Sequence, residues 1–287
     1  YEILPPVMNA FDAMKSDAPI LHDRLLTMTS PSFRAGAWGD AQKPTNVSNH
    51  FEFRSGDIDE GFSQADVIVE REYHTKAVHQ GYIEPQASTA FWDADDYVTI
   101  WCSTQQLFAF RDHTSIVLGV PVSRLKVIPM EIGGGFGGKT VIYLEPVAMA
   151  LSGKAGKPVK MTMTREEVMR ATGPTSGTSI DVKLGATKDG KLTAGEAELR
   201  YQAGCYPGSP VGPGAMTAFA PYNLENVKTV GFDVVVNRPQ AAAYRAPGAP
   251  MSEFAVESVI DEMAQKLGMD PIALRELNAA KEGTTAP

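Results

Sequence analysis

The sequence predicts an α+β protein with large mixed sheets and flanking helices, arranged in two lobes. Strand-like and helix-like segments are mixed along the chain without strict βαβ alternation. Two tight polar turns, Asp93-Ala94-Asp95-Asp96 and Lys188-Asp189-Gly190, each join two strand-like runs, which points to antiparallel pairing. The 287 residues, 43% hydrophobic and 21% charged, can bury a full core without metal or disulfide staples and suit one large domain or two smaller ones.

Residues 1–50 read as a tail and an extended linker. A strand at Tyr1–Leu4 meets Pro5-Pro6, and a brief helix covers Met8–Met14. Beyond Leu25 the chain is rich in Ser, Pro, Gly and Asn, with no sustained period. Regular structure is expected from Phe51: a strand Phe51–Arg54, a helix Asp57–Ala65 with Asp57 as N-cap, and a strand Asp66–Tyr73. Strands Ser88–Trp92 and Tyr97–Cys102 flank the first polar turn. The helix Gln105–Leu118 sets Leu107, Phe110, Thr114 and Val117 on one face and stops at Gly119, with Pro121 beyond. A buried strand, Leu125–Pro129, leads into the loop Gly133–Gly138, then a helix Thr140–Leu151 ended by Gly153 and a strand Val159–Thr164. Thr164-Arg165-Glu166-Glu167 is a capping box that opens another helix. Long strands follow at Thr178–Gly185, Leu192–Tyr201 and Val227–Val236, and the Gly/Pro-rich stretch Gly204–Pro213 is expected to be irregular. Val256, Ile260, Met263 and Leu267 form a helical stripe that Gly268 ends, and Asp270-Pro271 starts the next helix.

Lys and Arg number 26 against 34 Asp and Glu, a net charge of −8, and no basic run stands out, so nucleic acid and anionic membrane surfaces are not the expected partners. Cys102 and Cys205 are too few for a disulfide framework or a cysteine-built zinc site, and they fit a reducing, cytoplasmic setting. No apolar run approaches the length of a membrane span. The opening Tyr-Glu-Ile-Leu-Pro-Pro reads as a strand leaving an earlier domain, so the chain is expected to be a piece of a longer polypeptide.

Gly133-Gly134-Gly135-Phe136-Gly137-Gly138-Lys139-Thr140 satisfies the pattern G-x-x-x-x-G-K-[ST]. One reading is a nucleotide-binding loop in which backbone N–H groups cradle phosphate, Lys139 adds charge and Thr140 holds magnesium. Against it, the run Val234–Val236 ends in Asn237, Val67–Val69 precedes Glu70 but sits upstream with no crossover pattern, and the strands that follow the loop are long and hairpin-linked. Five glycines around one Phe also suit close backbone approach to a bulky ligand, and a purely structural loop is the third reading. The five histidines, His22, His50, His74, His79 and His113, do not cluster at ligand spacing and read as structural or surface groups. Glu84 reads as a paired structural carboxylate, and Glu145 as a solvated or helix-pairing group in mid-helix rather than a base.

Six segments in order then match a known family: residues 1–24; His79–Pro85; Trp101–Gln105; Gly133–Lys139; Ala243-Tyr244-Arg245 with Ala246-Pro247-Gly248; and Glu257–Asn278. Together they make the chain resemble the molybdenum-cofactor-binding subunit of the xanthine dehydrogenase and aldehyde oxidase family of molybdenum hydroxylases. The resemblance implies that residues 1–50 are the tail of a preceding α/β hammerhead domain plus a linker, and that 51–287 are the first half of the cofactor-binding domain. It implies a molybdopterin cofactor, as such or as its cytosine dinucleotide, that holds the metal without protein side-chain ligands. Gln105 would donate to an oxygen ligand of the metal, the backbone of Gly134, Gly135, Phe136 and Gly137 would approach the cofactor, and Arg245 would lie near cofactor or substrate. Chemistry in the family is attack by a metal hydroxide, deprotonated by a Glu, with hydride passing to a molybdenum sulfido ligand.

The family's catalytic Glu sits on a later Gly-x-Gly-Glu segment that this sequence lacks, so the chain is expected to be inactive without a second half. That half would be part of the same chain or a separate subunit. Purine-hydroxylating members carry Glu where Thr140 stands, and carbon-monoxide-oxidising members carry Cys where Ala246 stands, which makes these two the substrate-pocket candidates and leaves an aldehyde or an aromatic N-heterocycle as substrate. No iron–sulfur or flavin fingerprint is present, so iron–sulfur and FAD partners are implied elsewhere in the complex. The alternatives are the nucleotide-binding module on Gly133–Thr140 and a cofactor-free assembly subunit.

Overall fold

In the computed structural model, which describes residues 2–29 and 43–284, the elements are α1 (Ala10–Ala13), β1 (Met28–Thr29), β2 (Val47–Ser55), α2 (Ile58–Ser63), β3 (Val67–Thr75), β4 (Ala87–Trp92), β5 (Val98–Cys102), α3 (Leu107–Leu118), β6 (Leu125–Pro129), α4 (Glu145–Ala155), β7 (Val159–Thr162), α5 (Arg165–Ala171), β8 (Thr178–Ala186), β9 (Leu192–Gly204), α6 (Val211–Thr217), β10 (Asn226–Val235), α7 (Ala249–Leu267) and α8 (Pro271–Asn278). They divide into two units. One takes the described residues up to Ala77, Ser176–Ala241 and those from Ala246 onward; the other takes Val78–Thr175 and Ala242–Arg245. The α+β class with mixed sheets is the architecture observed.

The first unit is built on a six-stranded sheet in the order β1-β2-β10-β9-β8-β3. β9 and β10 run parallel, and β8 pairs antiparallel with both β9 and β3. The predicted turn between β8 and β9 forms, with Gly190 at φ +88°. Alternation along β9 buries Ala197, Leu199 and Tyr201, and α7 lays Ala255, Val256, Val259, Ile260 and Met263 into the same core. Burying side chains as large as Ile260 and Met263 contributes about 1.5–3 kcal/mol each. Gly268 ends α7 in the left-handed conformation at φ +63°, and Asp270 caps α8 by accepting from the N–H groups of Ile272 and Ala273.

The second unit has a four-stranded sheet in the order β6-β5-β4-β7, with β5 and β6 parallel and β4 antiparallel to both of its neighbours. Ala90, Val98, Ile100, Cys102, Phe110, Leu125, Ala148 and Met149 form its core, so α3 and α4 pack on this sheet. α3 supplies the connection between the parallel pair, as such strands require.

Several expectations are corrected. Glu2–Leu4 form no strand, and Tyr1 and residues 30–42 of the expected linker lie outside the described residues. β2 begins at Val47, not Phe51, because Val47 is buried with Val7, Phe232 and Val234 although the polar Ser48 and Asn49 follow it. On α3 the buried positions are Phe110 and Thr114, whereas Val117 is 61% exposed. α4 starts at Glu145 rather than Thr140 and runs through Gly153 to a left-handed Gly156. Gly153 lies within α4, and the Trp92 ring, 2.8 Å from where its Cβ would stand, leaves no room for a side chain there. α6 occupies the end of the stretch expected to be irregular.

The capping box is fully formed: the Thr164 hydroxyl accepts from Glu167 N–H, and the Glu167 carboxylate accepts from Thr164 N–H at 2.7 Å. Thr164→Ala is expected to lower stability by about 1 kcal/mol, measured by urea denaturation. An unchanged midpoint would mean that packing of Val168 alone holds α5.

Candidate functional site

The carboxyl ends of β5 and β6 lie side by side, with Cys102 opposite Pro129 and Met130 N–H donating to the Cys102 carbonyl at 3.0 Å. Here β5 runs on into Ser103–Gln106 and β6 into the glycine loop. Gln105 joins the two: its backbone N–H donates to the Lys139 carbonyl at 3.0 Å, and its side-chain Oε1 accepts from Gly137 N–H at 3.0 Å and Lys139 N–H at 3.2 Å.

A third segment closes the group. Arg245 N–H donates to the Phe136 carbonyl at 2.9 Å, so Ala242–Arg245 lies against the glycine loop. Gln80, 6% exposed, donates its Nε2 to the carbonyls of Ala243 and Gly173, each at 3.1 Å, and fastens that segment from below.

The loop's glycines are required by its neighbours within the protein. Gly137 has φ +104°, and a Cβ there would stand 2.3 Å from the Ala243 carbonyl oxygen. At Gly135 a Cβ would meet Gln105 Oε1 at 2.6 Å. Phe136 sits between them at φ +50°, a strained conformation for a bulky residue, and the residue is 48% exposed.

Lys139 does not behave as a phosphate-binding lysine. It is 1% exposed; its Nζ pairs with Glu84 Oε2, donates to Ser103 Oγ at 3.3 Å and stands 5.3 Å from the Tyr82 ring centre. The Thr140 hydroxyl, assigned to magnesium in that reading, donates to the Gly137 carbonyl at 2.7 Å. The loop also opens no helix, since α4 begins only at Glu145. These observations overturn the nucleotide-loop reading: the buried lysine is committed to the Glu84 carboxylate, and the loop does not lead directly into a helix.

Burial works to raise the Glu84 pKa, but the hydrogen bonds from Lys139 and Gly133 N–H, with the lysine's charge, outweigh it and hold the carboxyl below its ordinary value. Glu145 is buried at the first position of α4 rather than solvated in mid-helix; its carboxylate accepts from Tyr143 N–H at 2.9 Å, and burial pushes its pKa up. His79 packs on Tyr82 with ring centres 4.4 Å apart and accepts from Gly81 N–H, a structural placement.

Gln105, Gly134, Gly135, Phe136, Gly137 and Arg245 therefore belong to one unit, and hydrogen bonds link Gln105, the loop and Arg245; Thr140 follows directly in the chain. Ala246 belongs to the other unit, where it has φ +54°. Reading the sequence missed Gln80, Tyr82 and Ser103. Glu84 and Lys139 are 55 residues apart, and no local pattern pairs them. The sequence offers two separate signals, a lysine at the end of the glycine loop and a carboxylate before Pro85 that reads as paired, and nothing local joins them. Two donors on this surface, Gln105 Nε2 and the Arg245 guanidinium, have no protein partner among the described residues.

Residues 40–279 match the family described as molybdopterin cofactor-binding domain. The chain is 31% identical over 99% of its length to the nicotinate dehydrogenase large molybdopterin subunit of Eubacterium barkeri, covering 63% of that protein. It is also 31% identical over 99% of its length to the probable hypoxanthine oxidase XdhD of Escherichia coli K12, of which it covers 32%. The aldehyde oxidoreductase of Desulfovibrio gigas superposes over the whole chain with a TM-score of 0.86 at 29% identity, and the chain covers 30% of it. The chain thus spans from under a third to just under two thirds of the length of these relatives.

Proposed function

The chain belongs to the molybdopterin cofactor-binding domain family, and on that premise we propose that it forms the first half of the cofactor site of a molybdenum hydroxylase acting on an aldehyde or an aromatic N-heterocycle. The observation that carries this reading is the joining of Gln105, the glycine loop and Ala242–Arg245, distant in sequence, into one hydrogen-bonded surface.

The donor set fits the group. Because Gln105 Oε1 is held by two loop N–H groups, its amide plane is fixed and its Nε2 donors are left for an oxygen-bearing ligand. The Arg245 guanidinium, exposed and anchored through its own backbone, suits an anionic oxygen of cofactor or substrate. When bound, the molybdenum cofactor supplies the Lewis acid and the electron sink. Gln105 orients it, the Phe136 ring and the backbone of Gly134–Gly137 exclude water from its near side, and Thr140 borders the substrate. Ala246 is retained as a pocket residue on the sequence resemblance alone.

The proposal extends to the whole protein. The remaining half of the cofactor-binding region supplies the general base, iron–sulfur and flavin partners take the electrons, and the cofactor is molybdopterin or its cytosine dinucleotide. The free thiols Cys102 and Cys205 suit a cytoplasmic setting. The relatives' names span nicotinate, hypoxanthine and aldehyde; Thr140, in place of the Glu of purine-hydroxylating members, favours the non-purine substrates.

The test is elemental analysis of the native complex captured through this chain, with pterin measured by fluorescence after oxidation. Near-stoichiometric molybdenum and pterin are expected. A complete, folded complex with neither would overturn the hydroxylase reading in favour of a cofactor-free assembly role.

A further inference from the structure

One carboxylate fastens both ends of the glycine loop. At the start, Glu84 N–H donates to the Gly133 carbonyl at 3.2 Å, and Glu84 Oε2 accepts from Gly133 N–H at 2.7 Å. At the end, the same Oε2 meets Lys139 Nζ. Lys139 is 1% exposed, so its ammonium has almost no water to fall back on; its remaining neighbours are the Ser103 hydroxyl and the Tyr82 ring face. With Lys139 buried and Glu84 partly exposed, the pair gives up much of its attraction to desolvation of the lysine, and the best-attested use of such pairs is to select one conformation.

The Lys139 backbone carries that selection to the ligand side. Its N–H donates to Gln105 Oε1 and its carbonyl accepts from Gln105 N–H, so displacing the lysine displaces Gln105. We propose that Glu84 and Lys139 form a charge clasp that sets the closed form of the loop Gly133–Lys139 and so aligns the Gly137 backbone and the Gln105 amide; both are positioning residues. The clasp's consequence for cofactor retention rests on the cofactor-binding reading above, whereas its effect on the loop does not.

The clasp is acid-sensitive in one direction. Glu84's carboxyl is held below its ordinary value, so its contribution is complete above the range of an unfolded glutamate and is lost as pH falls through the lowered value. The other charged or titratable groups beside it are Arg165 on α5, which donates to the carbonyls of Tyr82 and Ile83; Tyr82; and His79, which burial first and Arg165 second hold toward its neutral form.

The experiment uses the native complex with Glu84→Gln, Lys139→Met and the double variant, following hydrogen–deuterium exchange in the peptide spanning 130–142 together with molybdenum and pterin content. Each single variant is expected to speed exchange in that peptide about tenfold or more relative to β4. The double variant should exchange no faster than the worse single, because it leaves no unpaired charge. In the wild type, exchange corrected for its intrinsic pH dependence should rise as pH falls, and in Glu84→Gln that rise should vanish. Unchanged loop exchange in folded single variants, or an additive double, would overturn the clasp. If Lys139→Met does not fold, Glu84→Gln and the wild-type pH series decide the matter. Loop responses as expected in a complex without molybdenum would uphold the clasp and sink the cofactor reading. A molybdenum-loaded wild type with equally loaded, slowly exchanging variants would sink the clasp alone.

Discussion

Gly137→Ala is expected to abolish cofactor retention while most of the chain stays folded. The residue sits at φ +104°, where an L side chain is strained by about 1–3 kcal/mol. Its new Cβ would stand 2.3 Å from the Ala243 carbonyl oxygen and 2.5 Å from the carbonyl carbon, and backbone atoms cannot rotate away as a flexible side chain can. Ala243 is itself pinned by Gln80, so relief requires the glycine loop and the Ala242–Arg245 segment to part. Molybdenum and pterin content should fall below about a tenth of wild type. Gly119→Ala is the control: at φ +65° with open space around it, it carries conformational strain of about 1–2 kcal/mol and no clash. Equal cofactor content in the two variants would show that the contact between loop and segment does not shape the site.

Gln105→Glu should separate the loop-holding contacts of that side chain from the donor role proposed for it. A carboxylate still accepts from Gly137 and Lys139 N–H, so the loop should keep its shape and the midpoint of unfolding should shift by less than about 1 kcal/mol. The two amide donors are gone, and in their place an anion faces whatever oxygen the amide served. A loss of a hundredfold or more in kcat is expected, the scale seen when one preorganised donor is removed. Gln105→Leu removes acceptor and donor alike and should loosen the loop as well. Full activity in Gln105→Glu would show that Nε2 takes no part in the reaction and that Gln105 serves only to hold the loop.

Several elements in both units are legible in the sequence because their signals are local. The strand Leu125–Pro129, the capping box at Thr164, the turn at Lys188-Asp189-Gly190 and the stops at Gly119 and Gly268 each follow from residues a few positions apart. Where the reading failed, a distant partner decided the outcome. Gly153 reads as a helix stop, yet α4 continues through it to Gly156; what requires a glycine at 153 is Trp92, some sixty residues away, whose ring leaves no room for a Cβ. Glu145 reads as an exposed helix residue, and the irregular backbone at 140–144 places it instead at a buried N-terminus.

The glycine loop divides along the same line. Its composition alone determined that backbone would take unusual conformations and approach a neighbour closely, because no other residue permits either at low cost. What approaches it, the Ala243 carbonyl and the Gln105 amide, was decided by the tertiary structure, which brings positions 105, 137 and 243 together. Lys139 shows the division most sharply. Among its local readings, a lysine after glycines can be an exposed charge for phosphate. Its actual state, buried against Glu84, depends on a carboxylate delivered by a segment 55 residues earlier, since a charge leaves water only where the fold supplies its partner.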